Sequence, residues 1–286
     1  MVDQKFEQAV VKRLNEVMGA DYSVFGKTVT KNNDVQLSGV VMRKKGNAVC
    51  PTIYLEEYAL LAVDDAVKKI VELYKSHDIP TGSESVMTNL DKGFILQNCE
   101  RVLVNTGRNA QVLSGVPHEE FLDLSIIYRM IVEISGCENA SMLITNEIIT
   151  NYGIQTEELS AATSNGKYEC MTMQELIAQN LGCEAGGQIV EPVQMYVFTN
   201  SMKKYGAAVL TQPQYFREIA ERIGRDLYIL PSSIHEVIVI PADDFTHTDE
   251  LRIMVHEING SEVDEEDFLS DNVYRYSADS GRITIA

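Results

Sequence analysis

The stretch Leu122–Ile134, LDLSIIYRMIVEI, decides the fold class. From Leu122 every second residue is apolar: Leu124, Ile126, Tyr128, Met130, Val132 and Ile134. The alternate set includes Asp123, Ser125, Arg129 and Glu133 and is mostly polar. Successive side chains of an extended backbone point to opposite faces, so this period of two predicts a half-buried strand. Ser135-Gly136 and Glu138-Asn139 supply a turn, and Ser141 to Thr145 is expected to return as a second strand.

Upstream, Phe6, Val10, Leu14, Val17 and Met18 fall on one helical stripe over residues 4–18, and Gly19 is the stop. Two β-prone runs follow, Tyr22 to Thr30 and Val35 to Met42, joined by Lys31-Asn32-Asn33-Asp34. Asn and Asp tolerate left-handed turn conformations, so the pair reads as a hairpin. A second helix carries Leu60, Val63, Val67, Ile70 and Tyr74. Residues 1–80 therefore read as an α-β-β-α lobe, with the Pro- and Gly-containing segment Asp78 to Asn89 as a linker. Residues 90–286 read as a main α+β domain with an acidic C-terminal region.

In that domain Leu90 to Leu103 reads as helix, and Thr156 caps a short helix. Gly182 to Gly187 is a second linker candidate. Strands are expected at Val193 to Phe198, Leu227 to Leu230 and His235 to Ile240, and helices at Pro213 to Ile223 and Glu250 to Ile258. The last residues, VYRYSADSGRITI, form a hairpin turning at Ala278 to Gly281. Helices interleave with several hairpins, so the expectation is α+β, with mixed, largely antiparallel sheets, packed helices and two lobes, rather than a doubly wound fold.

Net charge is −18 over 286 residues. Residues 1–48 sum to +3 and residues 241–286 to −9. An acidic body repels phosphate backbones, so no nucleic-acid partner is expected, and Arg43-Lys44-Lys45 is too short a cluster to reverse this. Five cysteines, Cys50, Cys99, Cys137, Cys170 and Cys183, form neither an even set nor a CxxC pair. They read as reduced thiols in a cytoplasmic protein. No secretory h-region and no run of 18 apolar residues is present, so no membrane association is expected.

Leu230-Pro231-Ser232-Ser233-Ile234-His235-Glu236 gathers two hydroxyls, an imidazole and a carboxylate, the ingredients of a nucleophilic triad. If Ser232 to Ile240 is extended, Ser233 and His235 share one face and Glu236 points to the other, so the segment alone cannot build one. A catalytic His235 needs a distant partner, and His118 or Asp123 are the candidates. Both lie in Pro117-His118-Glu119-Glu120-Phe121-Leu122-Asp123, whose charges read as a solvated strand entry. His256-Glu257 lacks the second histidine of HExxH, because position 260 is Gly260. Gly26-Lys27-Thr28 lacks the first P-loop glycine, since position 21 is Asp21. Asp243, Asp244, Asp249 and the run Glu262 to Asp267 lack EF-hand order, and no GxGxxG occurs. No cofactor and no metal site is therefore expected.

Several segments together carry a resemblance: KNN (Lys31 to Asn33), PTIYLEEY (Pro51 to Tyr58), VPHEEFLDL (Val116 to Leu124), TN-x4-YGAA (Thr199 to Ala208), LYILPSSIHEVI (Leu227 to Ile238) and LSDNVYRY (Leu269 to Tyr276). The set resembles a domain-of-unknown-function family found in anaerobic gut Firmicutes, over nearly the whole chain. Residues 151–165 and 210–240 are also similar to a second bacterial family of that kind. The resemblance implies a bacterial cytoplasmic protein and no particular activity. With no complete catalytic motif, the expected function is non-catalytic: binding or regulation through an unknown protein or small-molecule partner. The alternative is an enzyme: a hydrolase using His235 with Ser233, or a metal-dependent enzyme whose metal is held by His118, His235 and acids.

Overall fold

The computed structural model describes residues 2–45, 50–76, 90–132, 140–181, 194–243 and 247–286. The chain forms two compact units, Met1–Asn98 with Ile131–Met142, and Cys99–Met130 with Leu143–Ala286. Both linker candidates, the turn at Ser135 to Asn139, and Glu133, Ile134, Val193 and Asp244 lie outside the described residues.

In the first unit, helix α1 (Gln4–Met18) starts where the Asp3 carboxylate accepts from the Lys5 amide and ends at Gly19, φ 77°. Strands β1 (Tyr22–Thr30) and β2 (Gln36–Lys44) pair antiparallel from Tyr22–Lys44 to Thr30–Gln36. Their turn places Asn33 and Asp34 at positive φ, as the residue types anticipate. A third strand, β3 (Thr52–Tyr54), pairs with β2. This corrects the expected α-β-β-α order to α-β-β-β-α, because a three-residue strand is too short to display a period. Helix α2 (Val63–Ser76) begins after Leu60, which is wholly exposed rather than part of its stripe. Val10 and Leu14, Val24, Val40 and Met42, and Ala66, Val67 and Ile70 bring helix, sheet and helix into one core. A short helix, α3 (Lys92–Gln97), follows, capped by Asp91.

The second unit opens with β4 (Cys99–Asn105), where the sequence reading expected helix to Leu103. Its β-branched Val102 and Val104 instead enter a ladder with the deciding strand. After α4 (Ala110–Ser114), strands β5 (Glu119–Phe121) and β6 (Leu124–Val132) form a hairpin through Leu122, which takes φ 56°. Pairing of β4 with β6 runs from Cys99–Met130 to Asn105–Leu124. The strand predicted from LDLSIIYRMIVEI exists, but it is not half wet. Ser125 is fully buried, and Ile127 packs with Val102, Val104, Leu113 and Val116 beneath α4. Strand β7 (Ala140–Leu143) falls mostly within the first unit, and helices α5 (Asn146–Tyr152) and α6 (Thr156–Ala162) continue the second. The cap of α6 is Gln155, not Thr156: Glu158 Oε2 accepts from the Gln155 amide at 3.0 Å.

The rest builds a six-stranded sheet around β8 (Glu169–Thr172), β9 (Tyr196–Thr199), β10 (Leu227–Leu230), β11 (Val237–Pro241), β12 (Tyr274–Tyr276) and β13 (Ile283–Ile285). Its order is β13-β12-β10-β11-β9-β8, with every pair antiparallel. Helix α7 (Met173–Leu181) follows β8. Helix α8 (Gln214–Ile223) covers one face, with Phe216 between Phe198 and Tyr276, at 5.1 and 6.0 Å between ring centres. Helix α9 (Thr248–Ser261) covers the other, packing Leu251 and Val255 on Tyr228, Leu230, Ile240 and Val273. Its buried stripe is narrower than the sequence suggests, since Met254 and Ile258 are about two-fifths exposed. The fold is thus α+β with largely antiparallel sheets. Among the described residues no helix is long and apolar enough to cross a membrane.

Candidate functional site

Strand β10 ends at Leu230, and the chain then runs beside residues 267–270. The Leu269 and Ser270 amides donate to the Ser232 and Pro231 carbonyls at 3.0 and 3.1 Å, and Ser233 bridges Phe268. Residues 231–236 are not part of the following strand, which starts at Val237 rather than His235. Ser233 Oγ accepts from the backbone amide of His235 at 3.0 Å and does not meet the imidazole. The ring is held instead by residues distant in sequence. Its Nε2 lies 3.0 Å from Asp267 Oδ1, and its Nδ1 accepts from the Tyr205 amide at 3.2 Å. An acceptor Nδ1 carries no proton, so the neutral ring is fixed with its hydrogen on Nε2, pointing at the carboxylate. A general base must offer a lone pair to the nucleophile. Here that lone pair already serves a backbone N–H.

The His235 carbonyl is equally committed. It accepts from the Gly206 amide and from Thr199 Oγ1, both at 2.9 Å. Sequence reading missed Asp267, Tyr205, Gly206 and Thr199. Asp267 stands in an acidic run without a metal-binding order, and Thr199, Tyr205 and Gly206 carry no local catalytic motif.

Asp123 does not join His235. It sits beyond the Leu122 turn and accepts from Tyr274 Oη at 2.6 Å, Ser270 Oγ at 2.7 Å and Asn272 Nδ2 at 3.0 Å. Asn105 Nδ2 donates to the Leu269 carbonyl at 2.9 Å and ties the same two segments. His118 is exposed, with Nδ1 3.1 Å from the Val116 carbonyl. Its neighbour Glu119, expected to be solvated, lies in β5 and accepts from the hydroxyls of Tyr128 and Ser160. His256 is exposed and 3.4 Å from Asp271. Among the described residues, no three His, Cys, Asp or Glu side chains gather as a metal site.

Burial and the carboxylates of Asp123 and Glu119 push the hydroxyls of Tyr274 and Tyr128 far above the ordinary tyrosine range. A pKa raised in the folded state means that the stabilisation is complete below the unfolded value, about pH 10, and is lost as pH rises through the folded one. Unfolding free energy measured by urea titration should therefore fall above about pH 10. The Tyr128→Phe/Tyr274→Phe variant should show a shallower fall. An equal slope in both proteins would remove these phenols as its cause.

The concave feature lies elsewhere. Strand β8 is the edge of the large sheet, and its register sets Cys170 opposite Phe198 and Thr172 opposite Tyr196. Those four side chains share the face that α8 crosses. From α8, Tyr215, Glu218, Ile219 and Arg222 recur at helical spacing along one stripe. Between sheet edge and helix is a cleft of about 410 Å³ that Tyr168 and Met171 complete. The rings of Tyr168 and Tyr215 meet edge to face, 5.4 Å between centres and 89° between planes. Tyr215 Oη is anchored, donating to the Gly166 carbonyl at 3.1 Å and accepting from the Tyr168 amide at 3.3 Å. The Arg222 guanidinium lies over the Tyr196 ring, 5.3 Å from its centre. Thr172 caps α7 by accepting from the Glu175 amide, and bonds from the Thr172 amide and hydroxyl hold the Glu175 carboxyl below the usual range. The cleft was hidden from sequence reading because its aromatic residues come from three separate elements, none with a motif of its own.

No curated protein and no solved structure matches this chain significantly. A family model described as a family of unknown function, DUF5688, matches residues 3–278. That span takes in both units and every segment on which the resemblance rests, and the chain belongs to this family.

Proposed function

We propose that the protein is a non-catalytic binding protein of the bacterial cytoplasm that takes a small organic ligand in the cleft between the β8–β9 edge and α8. The observation that carries this reading is the cleft itself. Its volume falls in the range of ligand sites, about 300–1,000 Å³, and aromatic walls with a few polar groups are the usual lining of such sites. Cys50, Cys99 and Cys170 form no disulfide, which fits a reducing compartment. A hydrolytic alternative built on His235 has weaker support, because Ser233 and the imidazole each serve a backbone amide.

The test uses a plug. Cys170 faces the cleft, and the chain contains no tryptophan, so Cys170→Trp fills the space and adds a fluorescent probe. A ligand present at about 100 times its Kd adds about 2.7 kcal/mol to the native state. For a unit of this size that raises Tm by roughly 5 °C or more. Melting curves against a library of cellular metabolites should yield such a rise for the natural protein and none for Cys170→Trp. A library without hits, or hits of equal size in both proteins, would discard the cleft as the site.

A further inference from the structure

The charged side chains on the cleft indicate what kind of ligand it takes. Three line it: Glu175, Glu218 and Arg222. Glu175 is already used by Thr172. Glu218 and Arg222 stand one helical turn apart on α8, a spacing at which Glu and Arg readily pair. They do not pair. Among the described residues neither has an ion-pair or hydrogen-bond partner, and Arg222 meets only the ring of Tyr196. A free anion and a free cation therefore sit side by side at the mouth of an aromatic-walled cavity.

We propose that the cleft binds a zwitterion with an apolar body, namely a free α-amino acid with an aromatic or large aliphatic side chain. This rests on the cleft being the binding site. Arg222 takes the carboxylate, for which a planar guanidinium offers two parallel donors. Glu218 takes the ammonium. The apolar side chain lies against the rings of Tyr168 and Tyr215 and beside Cys170. A ligand with only one charge forgoes one of the two charge-assisted contacts, and this is where discrimination arises.

Calorimetric titration of the natural protein with L-phenylalanine and L-leucine, beside phenethylamine and 3-phenylpropionate, tests the assignment. An amino acid is expected to bind at least roughly tenfold more tightly than either single-charge analogue. Arg222→Gln should weaken L-phenylalanine to the level of phenethylamine, and Glu218→Gln to the level of 3-phenylpropionate. Both residues are exposed, so the variants should fold, and their melting curves without ligand check this. If a single-charge analogue binds as tightly as the amino acid, and Cys170→Trp blocks it, the zwitterion is wrong and the cleft stands. If none of the four compounds binds, the zwitterion is wrong, and the metabolite library decides the cleft. Binding that survives Cys170→Trp overturns both.

Discussion

Replacing Asp123 by Ala lowers the stability of the unit containing residues 99–130 and 143–286 by about 3 kcal/mol. Its melting midpoint should fall by roughly 6–12 °C. The reason is asymmetry. The carboxylate receives three hydrogen bonds, from Tyr274, Ser270 and Asn272. Two of the donors cannot turn to water, since Tyr274 is 0% and Ser270 1% exposed. A methyl group in place of the acid removes the charge-assisted bonds and also strands two buried hydroxyls. Tyr274→Phe deletes a donor and leaves the acid its other two partners, so it should cost about 1–2 kcal/mol. Urea unfolding of the two variants gives the comparison. An Asp123→Ala loss below that of Tyr274→Phe would show that the carboxylate is not what holds the Leu269-to-Tyr276 segment to the β6 hairpin.

This joint explains why so much of the fold, and so little of the site, could be read in the sequence. Periodicity is a local property. It located α1, β1, α8 and β10 to within a residue, because each is long enough or apolar enough to carry its own signal. It failed where a partner decided the outcome. Cys99 to Leu103 lies in a stretch that can be helical and becomes strand because β6 supplies a ladder. The polar alternates of residues 122–134 read as solvent-facing because what meets them is distant in sequence: Asp123 is bonded by Ser270, Asn272 and Tyr274, and Arg129 lies over the Tyr205 ring.

The segments that carry the resemblance were informative in another sense. VPHEEFLDL and LSDNVYRY meet at Asp123, while TN-x4-YGAA and LPSSIHE meet at His235. Polar residues clustered there because they cross-link irregular chain segments, whose backbone groups lack ladder partners and require side-chain ones. A polar cluster in a sequence thus carries the same signature whether it holds chain segments together or performs chemistry. Only the third dimension separates the two. The aromatic cleft is the reverse case, a concave site whose residues are ordinary in every local window.

Gly206→Ala is expected to destabilise the same unit by about 3 kcal/mol, although only a methyl group is added. A Cβ at this position would stand 2.5 Å from the His235 carbonyl oxygen, 2.6 Å from Thr199 Oγ1 and 2.7 Å from Thr199 Cα. Two of those atoms are backbone and cannot rotate aside. The carbonyl cannot retreat either, because it accepts from the Gly206 amide and from Thr199 Oγ1. Relief requires the short 3-10 helix Gly206–Thr211 to move away from β9, and Tyr205 just before it is held at φ 62°. Such a shift breaks the bond from the Tyr205 amide to His235 Nδ1, so that amide should exchange with solvent much faster in the variant. Removing the imidazole alone is milder. His235 and Asp267 are 26% and 34% exposed, water can replace part of their interaction, and His235→Ala should cost about 1 kcal/mol. Equal losses from the two variants would mean that the ring pair, not the close backbone approach at Gly206, fixes this corner. A Gly206→Ala protein as stable as the natural one would show that β9 and the loop after β10 do not pack as tightly as these distances require.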